Sequence, residues 1–218
     1  MIPCPVSETG PGMNRRLPPV VARPRGSALL ALLLAVLAAC GEHGGARGPS
    51  LALDIPAGWT YVGAAPGERR GDRLVFDART MRAALEHRAV APLFALLKYA
   101  PPHAGHNPTF GITAQRQVAG TTANALALLG AEVEQARREA GFALARGVSA
   151  TRVARREAAT ALLRAPGPDG VAGRVRLTLV VVDDIALLIT ASDAATGVEQ
   201  ADQAFDALLA SLTLTAGG

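Results

Sequence analysis

The sequence predicts an α+β fold in which helices pack on a mostly antiparallel β-sheet. Two observations lead to this prediction. Short apolar or alternating segments, separated by turn residues, fill most of the chain after residue 50, as is typical of antiparallel strands. Two other segments repeat apolar residues every three or four positions, as amphipathic helices do. Helices that separate runs of such strands indicate helices packed on a sheet.

The first 39 residues have the composition of a secretory signal peptide. Four arginines and one glutamate lie in residues 1–27, and the twelve residues from Ala28 to Ala39 are all Ala, Leu or Val. A basic region, an apolar region and a small-residue end are the signature of such a signal. A permanent membrane span would need about 20 apolar residues. We therefore expect residues 1–39 to be removed, with synthesis starting at Met1 or at Met13, where a more typical basic region begins.

The residues Leu37-Ala38-Ala39-Cys40 resemble the lipobox of bacterial lipoproteins. This resemblance implies cleavage before Cys40, a diacylglycerol group on its thiol and usually a further acyl chain on the new amino terminus. Two or three acyl chains, at about 0.8 kcal/mol per buried CH₂, hold a protein firmly on a membrane. A plain secretory signal with an unmodified Cys40 is the alternative. Because Gly41 rather than Asp follows the cysteine, the bacterial sorting pattern favours the outer membrane, facing the periplasm.

The chain that remains after cleavage is almost neutral. Subtracting four of the 22 basic residues and one of the 18 acidic residues leaves 18 and 17, a net charge of +1. The sequence shows no basic patch with interleaved aromatic residues, so we expect no binding to nucleic acid. After the signal, Cys40 is the one cysteine, so packing alone must stabilise the domain. We expect residues 40–50 to form a glycine-rich tether and residues 51–216 to form a single domain.

The first half of the domain is predicted to contain four strands and a short helix. The first strand stops at the turn Pro56-Ala57-Gly58. Three prolines interrupt residues 101–108, so this stretch is expected to be an irregular loop. The predicted strands are Leu51–Ile55, Leu74–Phe76, Leu93–Tyr99 and Phe110–Val118, and the predicted helix is Met81–His87.

The clearest helix lies in the middle of the domain. Its start is expected to be capped by Thr121 or Thr122 and its end by Gly141. Glu134 and Arg138 are spaced to form an i,i+4 ion pair worth a few tenths of a kcal/mol, on the order of 0.3. The apolar stripe consists of Leu126, Leu129, Val133, Ala136 and Ala140.

The last third is predicted to form three strands and a closing helix. Turns are expected at Gly167-Pro168-Asp169-Gly170 and at Asp183-Asp184. In the second strand, polar and apolar residues alternate, which predicts one solvated and one buried face. The polar set is Arg174, Arg176 and Thr178, and the apolar set is Val175, Leu177 and Leu179. The strands are Ala158–Arg164, Val175–Val182 and Ile185–Ala191, and the helix aligns Ala201, Phe205, Leu208 and Leu212.

Two short motifs resemble those of the PsbP-like and DcrB-like α/β sandwich proteins. Ile55-Pro56-Ala57-Gly58-Trp59 looks like the opening of these chains, and Asn107-Pro108-Thr109-Phe110-Gly111-Ile112-Thr113 is similar to their Asn-led central strand. The long helix, the three-strand meander and the closing helix also follow in a similar order, so the likeness covers most of residues 51–214. It implies a PsbP-like sandwich. That fold includes lipoproteins and accessory proteins, and the resemblance supplies no catalytic residue.

His103 and His106 are the most tempting pair of metal ligands. Imidazoles spaced H-x-x-H could share a zinc or copper ion, but such a site needs three or four ligands. His43 and His87 are the other histidines, and no cysteine or nearby carboxylate completes the set. We therefore expect an exposed polar loop here, and no metal and no cofactor.

No arrangement in the sequence predicts catalysis. There is no G-x-S-x-G motif, and the serines of the domain lack a base in their sequence context. Glu132 and Glu134 fit the surface of a helix, and Asp183 and Asp184 fit a turn. We therefore expect no catalytic residue and no enzyme.

The candidate ligand-binding residues are Trp59, Tyr99, His103, His106 and Asn107, and the segment 98–108 is the predicted functional rim. An amphipathic ring beside a cleft often contacts a ligand, although packing under the sheet edge is the other expectation for the tryptophan. The sequence as a whole predicts an envelope protein anchored through Cys40, acting as a non-catalytic binding or accessory subunit with an envelope protein as partner. The alternative is a small-ligand or metal-binding lipoprotein that uses the 98–108 loop.

Overall fold

The computed structural model describes residues 49–63, 65, 67–103, 106–117, 124–166, 173–194 and 198–217. Eleven strands and three helices lie in this described part of the chain. In chain order they are β1 (Ser50–Asp54), β2 (Thr60–Gly63), β3 (Glu68–Arg70), β4 (Arg73–Phe76), α1 (Ala78–Ala84), β5 (Val90–Leu97), β6 (Thr109–Arg116), α2 (Ala125–Ala140), β7 (Ala143–Val153), β8 (Arg156–Ala165), β9 (Gly173–Val182), β10 (Ile185–Ala194), α3 (Val198–Ser211) and β11 (Thr213–Thr215).

The strands form two sheets. The smaller sheet has the order β11-β1-β4-β3, and the larger one has the order β2-β5-β6-β10-β9-β8-β7. All of the strand pairs described are antiparallel. The predicted α+β sandwich, with a mostly antiparallel sheet and packed helices, is therefore confirmed.

One face of the large sheet packs against the small sheet and α3. Phe76 of the small sheet stacks on Phe94 of the large one, with ring centroids 5.4 Å apart. Each large apolar side chain buried here contributes about 1.5–3 kcal/mol relative to its exposed state. The core includes Leu51, Leu53 and Leu74 from the small sheet, Phe110, Ile112 and Ile189 from the large sheet, and Phe205, Leu208 and Leu212 from the closing helix.

The opposite face of the large sheet is covered by α2. Leu129 and Val133 of this helix are buried against the strands. Several of their neighbours in the sheet are alanines, whose small side chains let the helix approach closely. The strand residues in this second core are Ala159, Ala161, Leu163, Leu177, Leu179 and Ala186. Strands β8 and β9 therefore have buried positions on both of their faces.

The helix ends differ from the prediction in two places. Helix α1 begins at Ala78, because the Asp77 side chain caps it by accepting a hydrogen bond from Thr80 N at 2.7 Å. Helix α2 is capped by Asn124, which accepts from Leu126 N at 2.9 Å, so the expectation of Thr121 or Thr122 is wrong. Those two threonines lie outside the described residues.

The other end of α2 follows the prediction. Gly141 ends the helix in the left-handed region, at φ 69°. The predicted ion pair of Glu134 with Arg138 is wrong, since Arg137 Nη1 donates to Glu134 Oε1 at 2.7 Å instead.

Strand β7 has no counterpart in the sequence prediction. Its residues are mostly exposed and its pairing with β8 is interrupted twice, between Leu144 and Arg146 and between Arg146 and Ser149. An edge strand with bulges carries little apolar alternation, which is why the segment does not resemble a strand in sequence.

Several predicted features lie outside the described residues. These are the signal peptide over 1–39, Cys40, His43, the turn at 167–170, the end of the strand at Val118 and the side chain of Ala201. None of the helices in the described ranges combines the length and apolar character needed to cross a membrane.

Candidate functional site

The polar face of β9 is covered, contrary to the prediction of a solvated face. Thr178 is 3% exposed, and the side chains of Arg174 and Arg176 are 14% and 23% exposed. Helix α3 places two carboxylates, Asp202 and Asp206, against the two arginines. The alternation correctly separates two faces of the strand, but it cannot reveal that a charged helix face will cover the polar one.

These four side chains form one ionic network. Arg174 donates from Nη1 to Asp202 Oδ2 at 3.1 Å and from Nη2 to Oδ1 at 3.2 Å. Arg176 donates from Nη2 to Asp202 Oδ1 at 2.7 Å and from Nη1 to Asp206 Oδ1 at 2.5 Å. Because the two aspartates are four residues apart in α3, they share one face of the helix. The network therefore fixes α3 on β9 through charge-assisted hydrogen bonds.

The pKa of Asp202 lies below its ordinary value of 3.8. Burial raises it, but the hydrogen bond and charge of Arg174, together with those of Arg176, favour the ionised form more strongly. The carboxylate is therefore ionised at neutral pH, and both arginines keep their counter-ion.

A cleft of about 570 Å³ lies beside this network, between α3 and strands β7, β8 and β9. This volume falls within the range of about 300–1,000 Å³ that small-molecule sites occupy. The helix contributes Asp202, Asp206, Leu209 and Ala210 to its wall. The side-chain types that line the described cleft are Arg, Asp, Thr, Val, Leu and Ala.

The strand register orders the side chains on the cleft face of these three strands. Residues directly opposite each other in neighbouring strands project to the same side of a sheet. Three successive rows run across β7, β8 and β9. The first row has two arginines on either side of a leucine, the second has three hydroxyl side chains, and the third has one threonine and two apolar residues. The rows are Arg146–Leu162–Arg176, Ser149–Thr160–Thr178 and Thr151–Ala158–Val180.

In the predicted rim, residues 98–108, the Asn107 side chain joins the described residues on either side of 104–105. It accepts from Tyr99 N at 3.0 Å and donates to Tyr99 O at 2.7 Å. The ring of Tyr99 stacks on that of His103, with centroids 4.4 Å apart. The structure thus brings three of the five predicted ligand-binding residues into one cluster.

His106 lies beside the first residue of β9. A Cβ built on Gly173, the first residue of β9, would lie 3.7 Å from His106 Cε1. His106 and the other residues of the 98–108 segment are not among those that line the described cleft.

Trp59 lies apart from that cluster. Its ring meets Phe205 of α3 edge-on at 6.3 Å, and Lys98 Nζ lies 5.6 Å from the ring centroid. The tryptophan is partly buried against the main core, on α3 rather than on the Tyr99–His103 stack. Ligand binding by Trp59, Tyr99, His103, His106 and Asn107 remains a prediction. Within the described ranges, no group of three or more His, Cys, Asp or Glu side chains is placed to hold a metal ion.

The charged cleft residues were not identified from the sequence. One signal is present: Arg174 and Arg176 are two apart on a strand, and Asp202 and Asp206 are four apart on a helix, so each pair shares one face. What the sequence does not contain is the pairing of those two faces. Arg146 carries no signal at all, because its strand was not predicted.

No protein-family profile matches this chain, and no curated protein sequence does either. Solved structures do resemble it. LpqN of Mycobacterium tuberculosis, described as involved in cell envelope biogenesis, is similar with a TM-score of 0.52 and 15% identity, over 79% of this chain and 87% of that one. At this identity the likeness shows the fold, and it agrees with the α+β sandwich described above.

Two further structures superimpose less well. Cyanobacterial PsbP (CyanoP) from Synechocystis sp. PCC 6803 gives a TM-score of 0.49 at 13% identity, over 82% of this chain and 99% of that one. PA94 of Pseudomonas aeruginosa, described as a protein of unknown function and putative regulator, gives a TM-score of 0.43 at 12% identity, over 68% of this chain and 95% of that one.

Proposed function

We propose that this protein is a lipid-anchored, non-catalytic binding or accessory subunit of the bacterial cell envelope. The observation that carries the proposal is the cleft beside α3, one wall of which contains the Arg174–Asp202–Arg176–Asp206 network. A wall fixed by ion pairs keeps its shape before a ligand arrives, which lowers the cost of binding.

The chemistry of the cleft favours binding over catalysis. Nucleophilic and general acid–base catalysis need a nucleophile beside a base, or an acid with a suitably shifted pKa. Both carboxylates of the described cleft already face guanidinium groups, and the pKa of Asp202 is lowered, so it is a poor proton donor or acceptor near neutral pH.

The anchor is proposed from the lipobox-like residues that end at Cys40. Nine residues, 41–49, lie between Cys40 and Ser50, where β1 begins. Fully extended, the segment from Cys40 to Ser50 would span at most about 35 Å, enough to hold the domain close to the membrane surface. Similarity to the fold of LpqN, itself described as involved in cell envelope biogenesis, supports an envelope role. We place the anchor in the outer membrane, facing the periplasm, because Gly41 follows the cysteine.

A second candidate function is small-ligand or metal binding by the 98–108 loop. The observation in its favour is the pair of hydrogen bonds by which the Asn107 side chain joins the two described ends of this proline-rich segment, next to the stacked rings of Tyr99 and His103. In this case His103, His106 and Tyr99 would contact the ligand.

The anchor is tested with Cys40→Ala and with Cys4→Ala as the control, since Cys4 lies before the expected cleavage site and is absent from the processed chain. Labelled palmitate should enter the wild-type chain and the Cys4→Ala variant but not the Cys40→Ala variant. In fractionated cells, the Cys40→Ala domain should become soluble or persist as uncleaved precursor. A fully processed Cys40→Ala chain that stays in the outer-membrane fraction would show that the anchor assignment is wrong.

The binding role is tested by photo-crosslinking in intact cells. A photoreactive residue at Ala210, in the cleft wall, is compared with one at Arg138, on the exposed side of α2. We expect a defined adduct from Ala210 and none of the same mass from Arg138. Identical adducts from both positions, or none from either, would contradict binding at the cleft.

A further inference from the structure

The β7–β8 hairpin contains most of the excess positive charge of the domain. Residues 143–165 hold five arginines and one glutamate, a net charge of +4, whereas the whole chain after residue 39 has a net charge of +1. The rest of that chain is therefore net negative. The five arginines are Arg146, Arg152, Arg155, Arg156 and Arg164. This hairpin forms one side of the cleft.

Two cations of this hairpin, Arg146 and Arg152, line the cleft, and Arg146 is the one in the same row as Arg176. The register places Arg146 opposite Leu162, on the face that also carries Arg176. The register irregularities on either side of it are β-bulges, which re-aim a side chain out of the regular alternation. Among the described residues, no carboxylate pairs with it.

Arg176 faces Arg146 from the other side of Leu162. The two strands that carry them are separated by β8, so their backbones lie about 10 Å apart. Two of the five guanidinium N–H donors of Arg176 are used by Asp202 and Asp206, and its side chain retains 23% exposure. It is therefore held in position by the helix while N–H groups remain for a ligand.

Two of the three hydroxyl groups in the row next to these arginines, those of Thr160 and Thr178, are already engaged. Thr160 Oγ1 donates to Leu177 O at 3.1 Å and lies 3.3 Å from Thr178 Oγ1. The floor therefore offers few free donors beyond the guanidinium groups. An anion above Leu162 would lie between one guanidinium without a described counter-ion and one that is fixed by ion pairs.

We propose that the cleft binds the phosphate group of an anionic ligand between Arg146 and Arg176. Guanidinium forks bind phosphate through charge-assisted, often bidentate, hydrogen bonds. Four arginines and two aspartates line the cleft, so the lining has a net charge of +2, which an anion offsets. This inference rests on the proposed binding function and gives the chemistry of the ligand.

The phosphate can belong to a soluble ester or to the headgroup of a membrane phospholipid. The chain purified from membranes in non-ionic detergent is titrated calorimetrically with sn-glycerol 3-phosphate. It is then mixed with vesicles of phosphatidylcholine, with and without phosphatidylglycerol. Saturable binding of glycerol phosphate indicates a soluble ester. Because the acyl chains insert into either kind of vesicle, a lipid headgroup is indicated by tighter binding to the vesicles that contain phosphatidylglycerol, without binding of glycerol phosphate.

The site itself is tested with Arg146→Gln, matched by Arg138→Gln on α2. Both variants remove one positive charge, but Arg138 is an exposed residue on the helix that covers the opposite face of the sheet. We expect Arg146→Gln to weaken phosphate binding about tenfold, because one charge-assisted contact is lost. Arg138→Gln should leave the affinity unchanged, and Arg146→Lys should restore part of it. Denaturant unfolding of each variant confirms that its fold is intact.

Two results would overturn the proposal. One is the absence of saturable glycerol phosphate binding together with equal binding to the two kinds of vesicle, and the other is an equal loss in the two glutamine variants, which would show attraction to net charge alone. Either result leaves the envelope function standing if the Cys40 and crosslinking experiments succeed. Failure of those experiments with intact phosphate binding would instead contradict the proposed function.

Discussion

Arg174 of β9 and Asp202 of α3 form a two-pronged ion pair that joins the outer part of the large sheet to the last helix. Its two N–O distances are 3.1 and 3.2 Å, and the same carboxylate also accepts from Arg176. One aspartate thus holds two arginines that a single strand presents side by side. The position of α3, and with it the shape of the cleft, depends on this contact.

Replacing Asp202 by Asn should lower the free energy of unfolding by about 1–2 kcal/mol. Exposed ion pairs contribute about 0–1 kcal/mol, and loss of one partner from a buried pair costs about 3–5. Asp202 is 34% exposed, so solvent screens its ion pairs, and the expected cost lies nearer the range for exposed pairs. The amide keeps the side-chain volume, so packing is unchanged. Urea unfolding measures the difference.

The matched control for this change is Glu134→Gln. It breaks the Arg137–Glu134 pair, whose side chains are 44% and 52% exposed. We expect a change of less than about 0.5 kcal/mol. Equal effects of the two variants would show that the α3 network is no stronger than an ordinary surface pair.

The stability difference between wild type and Asp202→Asn should depend on pH. Because the folded-state pKa of Asp202 lies below 3.8, its stabilising effect is fully present above the unfolded-state value and is lost as the pH falls through the folded-state one. The difference should be constant from about pH 7 to about pH 5 and should shrink below about pH 4. Unfolding curves at several pH values test this, and a difference that grows in acid would contradict the assignment.

Two glycine-to-alanine changes at α2 should change the free energy of unfolding in opposite directions. A Cβ at Gly130 or at Gly141 meets no atom within 4 Å, so neither change causes a clash. Gly130 is inside the helix, where Ala stabilises by about 0.5–1 kcal/mol. Gly141 has φ 69°, where an alanine is strained, so Gly141→Ala should destabilise by about 1 kcal/mol. The urea midpoints should move in opposite directions, and a common direction would contradict the helix end described here.

Asn107→Ala should open the 98–108 loop without unfolding the domain. It removes both hydrogen bonds to Tyr99, at an exposed site, with an expected cost of about 1 kcal/mol. Hydrogen exchange at the Tyr99 amide should speed up. Exchange at Lys98, whose N–H is bonded to Pro108 O at 2.9 Å, serves as the reference for the neighbouring strand.

Asn107→Asp is the informative second variant. Its carboxylate can still accept from Tyr99 N, but it cannot donate to Tyr99 O, and it places negative charge against that carbonyl oxygen. We expect it to resemble the alanine variant. If the Tyr99 amide of Asn107→Asp exchanged as slowly as in the wild type, the hydrogen bond from Tyr99 N to the side chain of residue 107 would be the one that matters.

Much of the fold follows from local sequence patterns. The apolar stripe of α2, including Leu129 and Val133, and the left-handed cap at Gly141 depend on residues within a few positions of each other. The hairpin of β9 and β10 is also local, since alternation and a two-residue turn at Asp183-Asp184 define it. Such features can be predicted from the sequence because their stabilising contacts lie within one segment.

The features missed by the sequence analysis depend on distant contacts. Strand β7 is an exposed, bulged edge whose pairing partner, rather than its own pattern, makes it a strand. Asn124 caps α2 although two threonines precede it, because the cap is set by where the chain turns into the helix. The solvated face predicted for β9 is covered by a helix more than 20 residues further along the chain.

The sequence by itself determined the α+β class and the order of most strands and helices, because periodicity and turn residues act over short distances. It also predicts lipid attachment at Cys40, from a short motif of small residues. The tertiary structure alone decided that Asp202 and Asp206 cover Arg174 and Arg176, and that Arg146 joins them at the cleft. The physical reason is that opposite charges on separate segments attract wherever folding brings them together, and only the packed sheet and helix define that meeting point.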